Sequence, residues 1–319
     1  MMTAAHYSSN NGGMAIFLLL LQNLLPLYLL IAVGFFGGRV LNLERQTLAN
    51  MAIYLCAPVV TFGFVAGLDL KPAYALLPAV TLGISALVAI AFLHIGRRVY
   101  GDNRANLLTM CASMGNTGYF GLPVALALFD RDRVGVYMFM LIGGALFEAT
   151  MGYYIAARGK FTVRESLARL ARFPALYAVA AGLAVNAAHV RLPDLFQTYW
   201  GYFKGAYVIL GMMIIGAALS RVEKFTVAPQ FTALAFAGKF LAWPLLTGLF
   251  VVADRSALHL FDPDIHRLLC LFAIVPPGAN IAAYAAQMDL RPEKAATTIL
   301  LGTVFALIYI PLVMGLFAP

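Results

Sequence analysis

The stretch from Cys111 to Pro123, CASMGNTGYFGLP, combines hydrogen-bonding and helix-breaking residues inside an apolar run. These residues are Gly115, Asn116, Thr117, Gly118, Gly121 and Pro123. Glycine costs about 1 kcal/mol and proline about 3 kcal/mol in a helix interior. In hydrocarbon, each unpaired backbone group costs several kcal/mol more. The stretch therefore predicts a helix that breaks against protein or a water-filled cavity, with Pro123 at the break.

A second apolar run is interrupted by Val275-Pro276-Pro277-Gly278-Ala279-Asn280, with Pro276 at the break. A broken helix leaves a half-helix N-terminus whose free N–H groups carry about half a positive charge. Two such ends facing each other would bind an anion without a buried basic residue. The predicted substrate contacts are Gly115, Asn116, Thr117, Gly118, Pro277, Gly278, Asn280 and, in the second predicted span, Tyr54.

The side chains of Asn116, Thr117 and Asn280 would donate hydrogen bonds to a carboxylate. The alternative is that the two asparagines only pair backbone groups freed by the breaks. Two ionisable residues, Glu148 and Lys239, also lie deep in apolar runs, where a charge usually finds a partner. One hypothesis is that they form an ion pair that braces the broken helices. The other is that Glu148 takes up a proton during the cycle and couples substrate movement to it.

The composition shows what kind of elements must position these residues. Of the 319 residues, 62% are hydrophobic and 11% are charged, and the mean hydropathy is +0.85. A soluble domain would be about half apolar and a quarter charged, so the chain is predicted to be an integral membrane protein. The net charge of +8 comes from basic residues in short loops. That placement indicates membrane topology and not a nucleic-acid partner.

The residue types that build metal sites and enzyme active sites are dispersed. Cys56, Cys111 and Cys270 lie in separate apolar runs without CxxC spacing, and the five histidines are scattered near the ends of runs. The sequence contains no HExxH motif, no GxSxG motif and no paired intramembrane aspartates. It therefore predicts neither an enzyme nor a cofactor nor a metal site, and no carboxylate cluster of the kind that binds sodium.

Ten apolar runs are long enough to span a membrane at about 20 residues each. Their predicted bounds are about 14–36, 47–66, 73–95, 105–128, 134–157, 173–190, 200–220, 231–252, 267–288 and 295–317. The first run is too long for a cleaved signal peptide. Fourteen basic residues lie in loops after odd-numbered spans and seven on the other side. This predicts a multi-pass protein of the cell membrane with both termini extracellular or periplasmic.

Five spans precede the longest basic loop and five follow it, which predicts an inverted repeat. The first repeat would cover residues 14–157 and the second 173–319, joined by an amphipathic cytoplasmic linker at 158–172. The interrupted runs are then the fourth span of each half. Interrupted helices at corresponding positions mark the substrate site in many secondary transporters.

Several motifs resemble the auxin efflux carrier family, which contains bacterial carboxylate transporters and the plant PIN-type auxin exporters. They are GNTGYFGLP in span 4, LGMMIIGAALS in span 7, and PPGANIAAYAAQM followed by DLRPEKAATTILLG in spans 9 and 10. The likeness covers nearly the whole chain. Plant exporters carry Pro-Asn-Thr where this chain has Gly115-Asn116-Thr117, so the resemblance implies that Asn116 contacts the substrate. Asn280 stands where the plant members are apolar.

The resemblance implies an all-α fold like that of sodium/proton antiporters and bile acid symporters, with broken spans 4 and 9 crossing at mid-membrane. Spans 3, 4, 5, 8, 9 and 10 would form a transport domain that moves like an elevator. Spans 1, 2, 6 and 7 would form a scaffold, which we expect to make a homodimer. The expected partners are membrane lipid, protons and a small organic anion such as a malonate-like, malate-like or indole acid. A sodium-coupled bile acid type symporter and an anion channel of the same architecture remain alternatives.

Overall fold

The computed structural model describes residues 12–156, 171, 174–220, 228–288 and 290–316, and the regular elements of these ranges are all helices. The helices are α1 (Gly12–Val40), α2 (Arg45–Ala66), α3 (Pro72–Val99), α4a (Arg104–Ser113), α4b (Thr117–Leu128), α5 (Arg131–Ala156), α6 (Pro174–Ala187), α7 (Asp194–Ser220), α8 (Pro229–Leu258), α9a (Pro263–Ile274), α9b (Asn280–Gln287) and α10 (Pro292–Leu316). The predicted linker at 158–172 lies outside the described residues except for Ala171.

Seven helices, α1, α2, α3, α5, α7, α8 and α10, have the length and composition of membrane spans. Their outer faces expose large apolar side chains such as Leu29, Phe36, Leu241 and Leu249. Contiguous apolar surface of this extent marks contact with lipid, so the chain is an all-helical, multi-pass membrane protein. The other predicted spans, 4, 6 and 9, correspond to shorter helices. The count of ten spans and the inverted repeat therefore stay predictions.

Proline opens five of the helices. These residues are Pro72, Pro174, Pro229, Pro263 and Pro292. A proline at the first helical position loses no intrahelical hydrogen bond, and its fixed φ suits a helix start. Asp262 also caps α9a by accepting hydrogen bonds from the backbone N–H groups of Asp264 and Ile265, each at 3.1 Å. The proline and the aspartate cap together fix where α9a, the helix that precedes the second break, begins.

The helices pack as two neighbouring groups. In the first group, α1 packs along α7, α7 packs against α2, and α2 packs along α6. In the second, α3 packs against α4a and α5, α8 packs against α4a and α9a, and α10 packs against both halves of α9. Contacts between α7 and α4b, between α2 and α5, and between α1 and α10 join the groups. The broken helices α4 and α9 thus lie within the second group and border the first.

Glycines allow α1 and α7 to approach closely. A Cβ on Gly34 would overlap the backbone of Met213, and a Cβ on Gly216 would overlap the backbone of α1 at Ile31. A Cβ on Gly38, four residues after Gly34, would overlap the Ser220 hydroxyl. Small residues spaced by four are the usual means of close helix packing in membranes. The α1–α7 pair therefore forms a tight contact in the first group.

Asn186 fastens α6 to the end of α2. Its side-chain Nδ2 lies 3.3, 3.1 and 2.6 Å from the carbonyl oxygens of Val65, Ala66 and Leu68. The last carbonyls of a helix have no partner within the helix. The asparagine supplies that partner from a neighbouring helix, which fixes where α2 ends.

Candidate functional site: a cavity at two broken helices

The interruptions of α4 and α9 lie side by side and run antiparallel, with Gly115 opposite Pro277. The backbone N–H of Asn116 donates to the carbonyl of Pro276 at 2.8 Å, and the N–H of Gly278 donates to the carbonyl of Met114 at 2.9 Å. These bonds satisfy backbone groups that the breaks would otherwise leave unpaired in the membrane. The two interrupted segments therefore form one joined unit.

Glycine is required where the two segments touch. A Cβ on Gly115 would lie 2.9 Å from Val275 Cγ2 and 3.0 Å from Lys239 Nζ, closer than ordinary van der Waals contact. On the other side, a Cβ on Gly302 of α10 would lie 2.6 Å from Pro277 Cδ. Gly118 is less confined, because its nearest neighbour would be Tyr207 Oη at 3.4 Å. Gly115 and Gly302 thus set the spacing of the joined segments.

The first break does not lie at Pro123. The helix ends at Ser113 and resumes at Thr117, and Pro123 lies inside α4b. The turn before it, Thr117–Gly121, is π-helical, and such a wide turn changes the hydrogen-bond ladder so that a proline is accommodated. The prediction for Pro123 was therefore wrong. Pro276 does lie within the second break, where its carbonyl accepts the bond from Asn116.

A cavity of about 610 Å³ opens beside the joined segments. Eight of the predicted site residues line it: Tyr54, Gly115, Asn116, Thr117, Gly118, Glu148, Gly278 and Asn280. Pro277 faces α10, and Lys239 lies behind the segments. The cavity also reaches the exposed residue Gln46 at the start of α2. Its volume is in the range of pockets that bind small molecules.

Asn116 lines this cavity, and its buried side-chain amide nitrogen is unpaired among the described residues. Its side chain is 4% exposed, and among the described residues its Nδ2 has no hydrogen-bond partner. It also makes no side-chain cap on the helix that follows it. A buried amide without a partner costs about 1–3 kcal/mol. The sequence left open that Asn116 only pairs backbone groups freed by the break. The structure does not show this, because Asn116 Nδ2 bonds no backbone group among the described residues.

Glu148 makes contacts that the sequence did not predict. Its Oε1 accepts hydrogen bonds from Asn280 Nδ2 at 3.1 Å and from the Tyr284 hydroxyl at 2.9 Å. Asn280 and Tyr284 are four residues apart in α9b and so lie on one face of that helix. Asn280 therefore bonds a protein carboxylate in this conformation, and α5 is connected to α9b at the edge of the cavity.

Lys239 does not pair with Glu148. Its ammonium group is fully buried, donates to the carbonyl of Ala273 at 3.1 Å, and lies 4.5 Å from the centre of the Trp243 ring. Ala273 is in the last turn of α9a, where a helix carries partial negative charge. The hypothesis of an ion pair between the two residues was wrong, because opposite charge and membrane depth do not determine which way each side chain faces.

Four π-helical turns occur at the candidate residues. Tyr54 lies in Met51–Cys56, Thr117 and Gly118 in Thr117–Gly121, Glu148 in Glu148–Gly152, and Lys239 in Ala237–Ala242. Such turns are rare and occur frequently at functional sites. The local widening rotates these side chains out of the regular helical register, which a periodicity argument cannot anticipate.

Arg45 and Tyr119 are among the cavity residues that sequence reasoning missed. Arg45 is one of the fourteen basic residues whose placement predicts the topology, yet its Nη2 donates to the Ala279 carbonyl at 2.9 Å in the second break. Tyr119 lies in the GNTGY motif, and its buried hydroxyl has no partner among the described residues. The aromatic position inside the motif was an available signal for Tyr119. Within the described ranges, no group of three or more His, Cys, Asp or Glu is placed to hold a metal ion.

Comparison with known proteins identifies the family. A family described as membrane transport protein matches residues 19–314. An uncharacterized transporter of Methanocaldococcus jannaschii is 24% identical over 302 residues, covering 89% of this chain and 94% of the relative. An uncharacterized transporter of Methanothermobacter thermautotrophicus is 26% identical over 290 residues, covering 89% and 92%. The chain therefore belongs to the membrane transport protein family, the group of the auxin efflux carriers that its motifs resemble.

Proposed function

We propose that this protein is a secondary transporter that moves small organic anions by alternating access. The unpaired Asn116 amide in the cavity is the observation that carries the proposal, because a carboxylate would accept its two N–H groups. The helices α4b and α9b both begin at the joined segments, beside the cavity. Their positive ends favour an anion there.

An elevator movement is supported by the grouping of the helices. The helices expected in the transport domain, α3, α4, α5, α8, α9 and α10, form one packed group, and α1, α2, α6 and α7 form the other. We propose that the first group carries the joined segments across the membrane while the second stays fixed as a homodimer. Each group contains corresponding helices of the two proposed inverted repeats: α1 and α2 correspond to α6 and α7, and α3, α4 and α5 correspond to α8, α9 and α10.

Proton coupling through Glu148 is part of the proposal. A charged Glu148 at the cavity edge repels an anionic substrate, whereas the protonated form does not. Its contacts with Asn280 and Tyr284 would change with that proton, because a protonated carboxyl accepts hydrogen bonds more weakly. Glu148→Gln should therefore keep counterflow exchange but lose uptake driven by a pH gradient. Glu44→Gln, at an exposed position before α2, is the matched control. Retained proton-driven uptake in Glu148→Gln would remove this part of the proposal.

The test of the proposed function uses purified protein in liposomes. Loaded malonate, malate or indole-3-acetate should exchange with the external radiolabelled acid, and Asn116→Ala should lower the affinity for that acid about tenfold. Asn23→Ala, an exposed asparagine on α1, should leave it unchanged. A strict requirement for sodium would favour a symporter, and unitary currents without exchange would favour a channel. An affinity unaffected by Asn116→Ala would refute the proposed binding site.

A further inference from the structure

The cavity reaches the surface near the start of α2 and is closed toward the end of α2. Gln46, which lines the cavity at the start of α2, is exposed. Thr61 and Met138, which line it toward the other end, are buried, and the Thr61 hydroxyl lies 3.9 Å from Met138 Sδ. Thr61 belongs to the group of α1, α2, α6 and α7, and Met138 of α5 belongs to the group with the broken helices. Contact between the two groups therefore closes the cavity at this end, which we call the closed end.

The contact continues from the closed end to the surface along α5. A Cβ on Gly135 would lie 3.0 Å from Leu68 Cδ1, so this glycine lets α5 pack directly on the chain that follows α2. A Cβ on Gly67 would lie 2.9 Å from Arg131 Nη2, so the guanidinium rests close to the backbone at the end of α2. Arg131 is the first residue of α5 and is exposed. It therefore forms the outer rim of the closed end.

Trp200 of α7 supplies the surface on which this guanidinium lies. Arg131 Cζ is 4.6 Å from the centre of the Trp200 ring system, within the range of a cation–π contact. The tryptophan is 4% exposed, its Nε1 donates to the Val60 carbonyl at 3.2 Å, and it packs edge-on against Phe64. No ion pair found in the described ranges includes Arg131. The cation–π contact thus connects the start of α5 to a ring that α2 and α7 hold in place.

A second cation faces the same ring. Lys204 Nζ, one turn further along α7, also lies 4.6 Å from the centre of the Trp200 ring system. The two charged groups are therefore no more than twice that distance apart, and they repel each other. Lys204 belongs to the same helix as the ring, whereas Arg131 belongs to the other helix group. The repulsion therefore opposes the contact between the groups and keeps its net strength low.

We propose that Arg131 and Trp200 form a reversible contact that sets the equilibrium between two states of the transporter, one open at each side of the membrane. The contact is made when the cavity is open near the start of α2. Opening of the closed end requires α5 to move away from α2 and α7, which breaks the contact. This inference rests on the proposed function. It makes Arg131 a positioning residue that favours the observed state, while the charge of Lys204 favours the other state.

The test measures how readily a reagent reaches the closed end from its own side of the membrane. Met138→Cys supplies a thiol, and a membrane-impermeant maleimide is added from one side at a time, to intact cells and to inverted vesicles. The labelling of the parent chain, whose three native cysteines are buried, is subtracted. Arg131→Gln should raise the initial rate of labelling from the closed side about twofold to fivefold, the effect of losing an exposed cation–π contact.

Three further variants on the same Met138→Cys background serve as comparisons. Lys204→Gln should lower the labelling rate from the closed side about twofold, because it removes the repulsion that opposes the contact. Arg131→Lys keeps a cation over the ring and should restore part of the parent behaviour. Arg191→Gln is the matched control, since Arg191 is an exposed arginine at the same end of the molecule, between α6 and α7. It should leave the labelling rate unchanged.

The outcomes separate this inference from the proposed function. A general loosening of the fold would not make Arg131→Gln and Lys204→Gln change the labelling rate in opposite directions. An unchanged rate in Arg131→Gln, or an equal rise in both variants, overturns the role of the contact and leaves the proposed function standing. A thiol at position 138 that no variant exposes from the closed side overturns alternating access together with this inference.

Discussion

Alanine substitution of Gly115 and of Gly118, both in the GNTGYFGLP motif, should change the stability of the fold in opposite directions. In Gly115→Ala, the new methyl group meets Val275 Cγ2 at 2.9 Å and Lys239 Nζ at 3.0 Å. The joined segments must shift, and overpacking of this kind costs about 1–3 kcal/mol. In Gly118→Ala, the nearest atom lies 3.4 Å away, an ordinary contact. Gly118 is helical, so alanine should gain up to about 1 kcal/mol there.

The two variants should therefore differ by about 1–4 kcal/mol in the free energy of unfolding, which corresponds to several degrees in the midpoint of thermal unfolding. A thiol-reactive fluorescent dye can follow the transition in detergent, because Cys56, Cys111 and Cys270 are free and buried. Gly115→Ala should also weaken anion binding, since Asn116 follows it directly. Equal destabilisation by both substitutions would refute this geometry of the crossing.

Three further changes test other contacts. Lys239→Met should lower the free energy of unfolding by about 1–3 kcal/mol in thermal unfolding, because it leaves the Ala273 carbonyl in the last turn of α9a without its hydrogen-bond partner. Asn186→Ala should lower the free energy of unfolding by about 1–3 kcal/mol in thermal unfolding, since it deprives the end of α2 of its partner. Hydrogen bonds from Arg104 hold the pKa of Asp102 below its usual range. Because the pKa of Asp102 is lower in the folded protein, its charged form stabilises the fold above pH about 4. This stabilisation is lost as the pH falls through the folded-state pKa. Asp102→Asn should therefore remove this part of the pH dependence of the melting midpoint, an effect of under about 1 kcal/mol.

The breaks could be predicted from the sequence because glycine, asparagine and proline seldom cluster within an apolar membrane run unless the helix is interrupted there. The family resemblance is likewise confirmed by the match over residues 19–314. The position of the first break was less accessible. A π-helical turn at Thr117–Gly121 accommodates Pro123, and such turns leave no periodic signature in the sequence.

The partners of the charged residues could not be predicted, because they depend on tertiary contacts between distant segments. Arg45 and Ala279 are 234 positions apart in the chain. Glu148 and Lys239 have opposite charges, yet each finds a closer partner on α9, one on either side of the break. Charge and depth limit the candidates, but only the folded arrangement selects among them.

The backbone bonds between Asn116 and Pro276 and between Gly278 and Met114 join the two interrupted segments through main-chain atoms alone. Exchange of a side chain beside them removes neither bond, provided that it keeps the backbone N–H groups of Asn116 and Gly278 and adds no bulk at Gly115 or Gly302. Cargo preference can therefore be re-engineered at the surrounding positions by substitution, without a redesign of the framework that carries them.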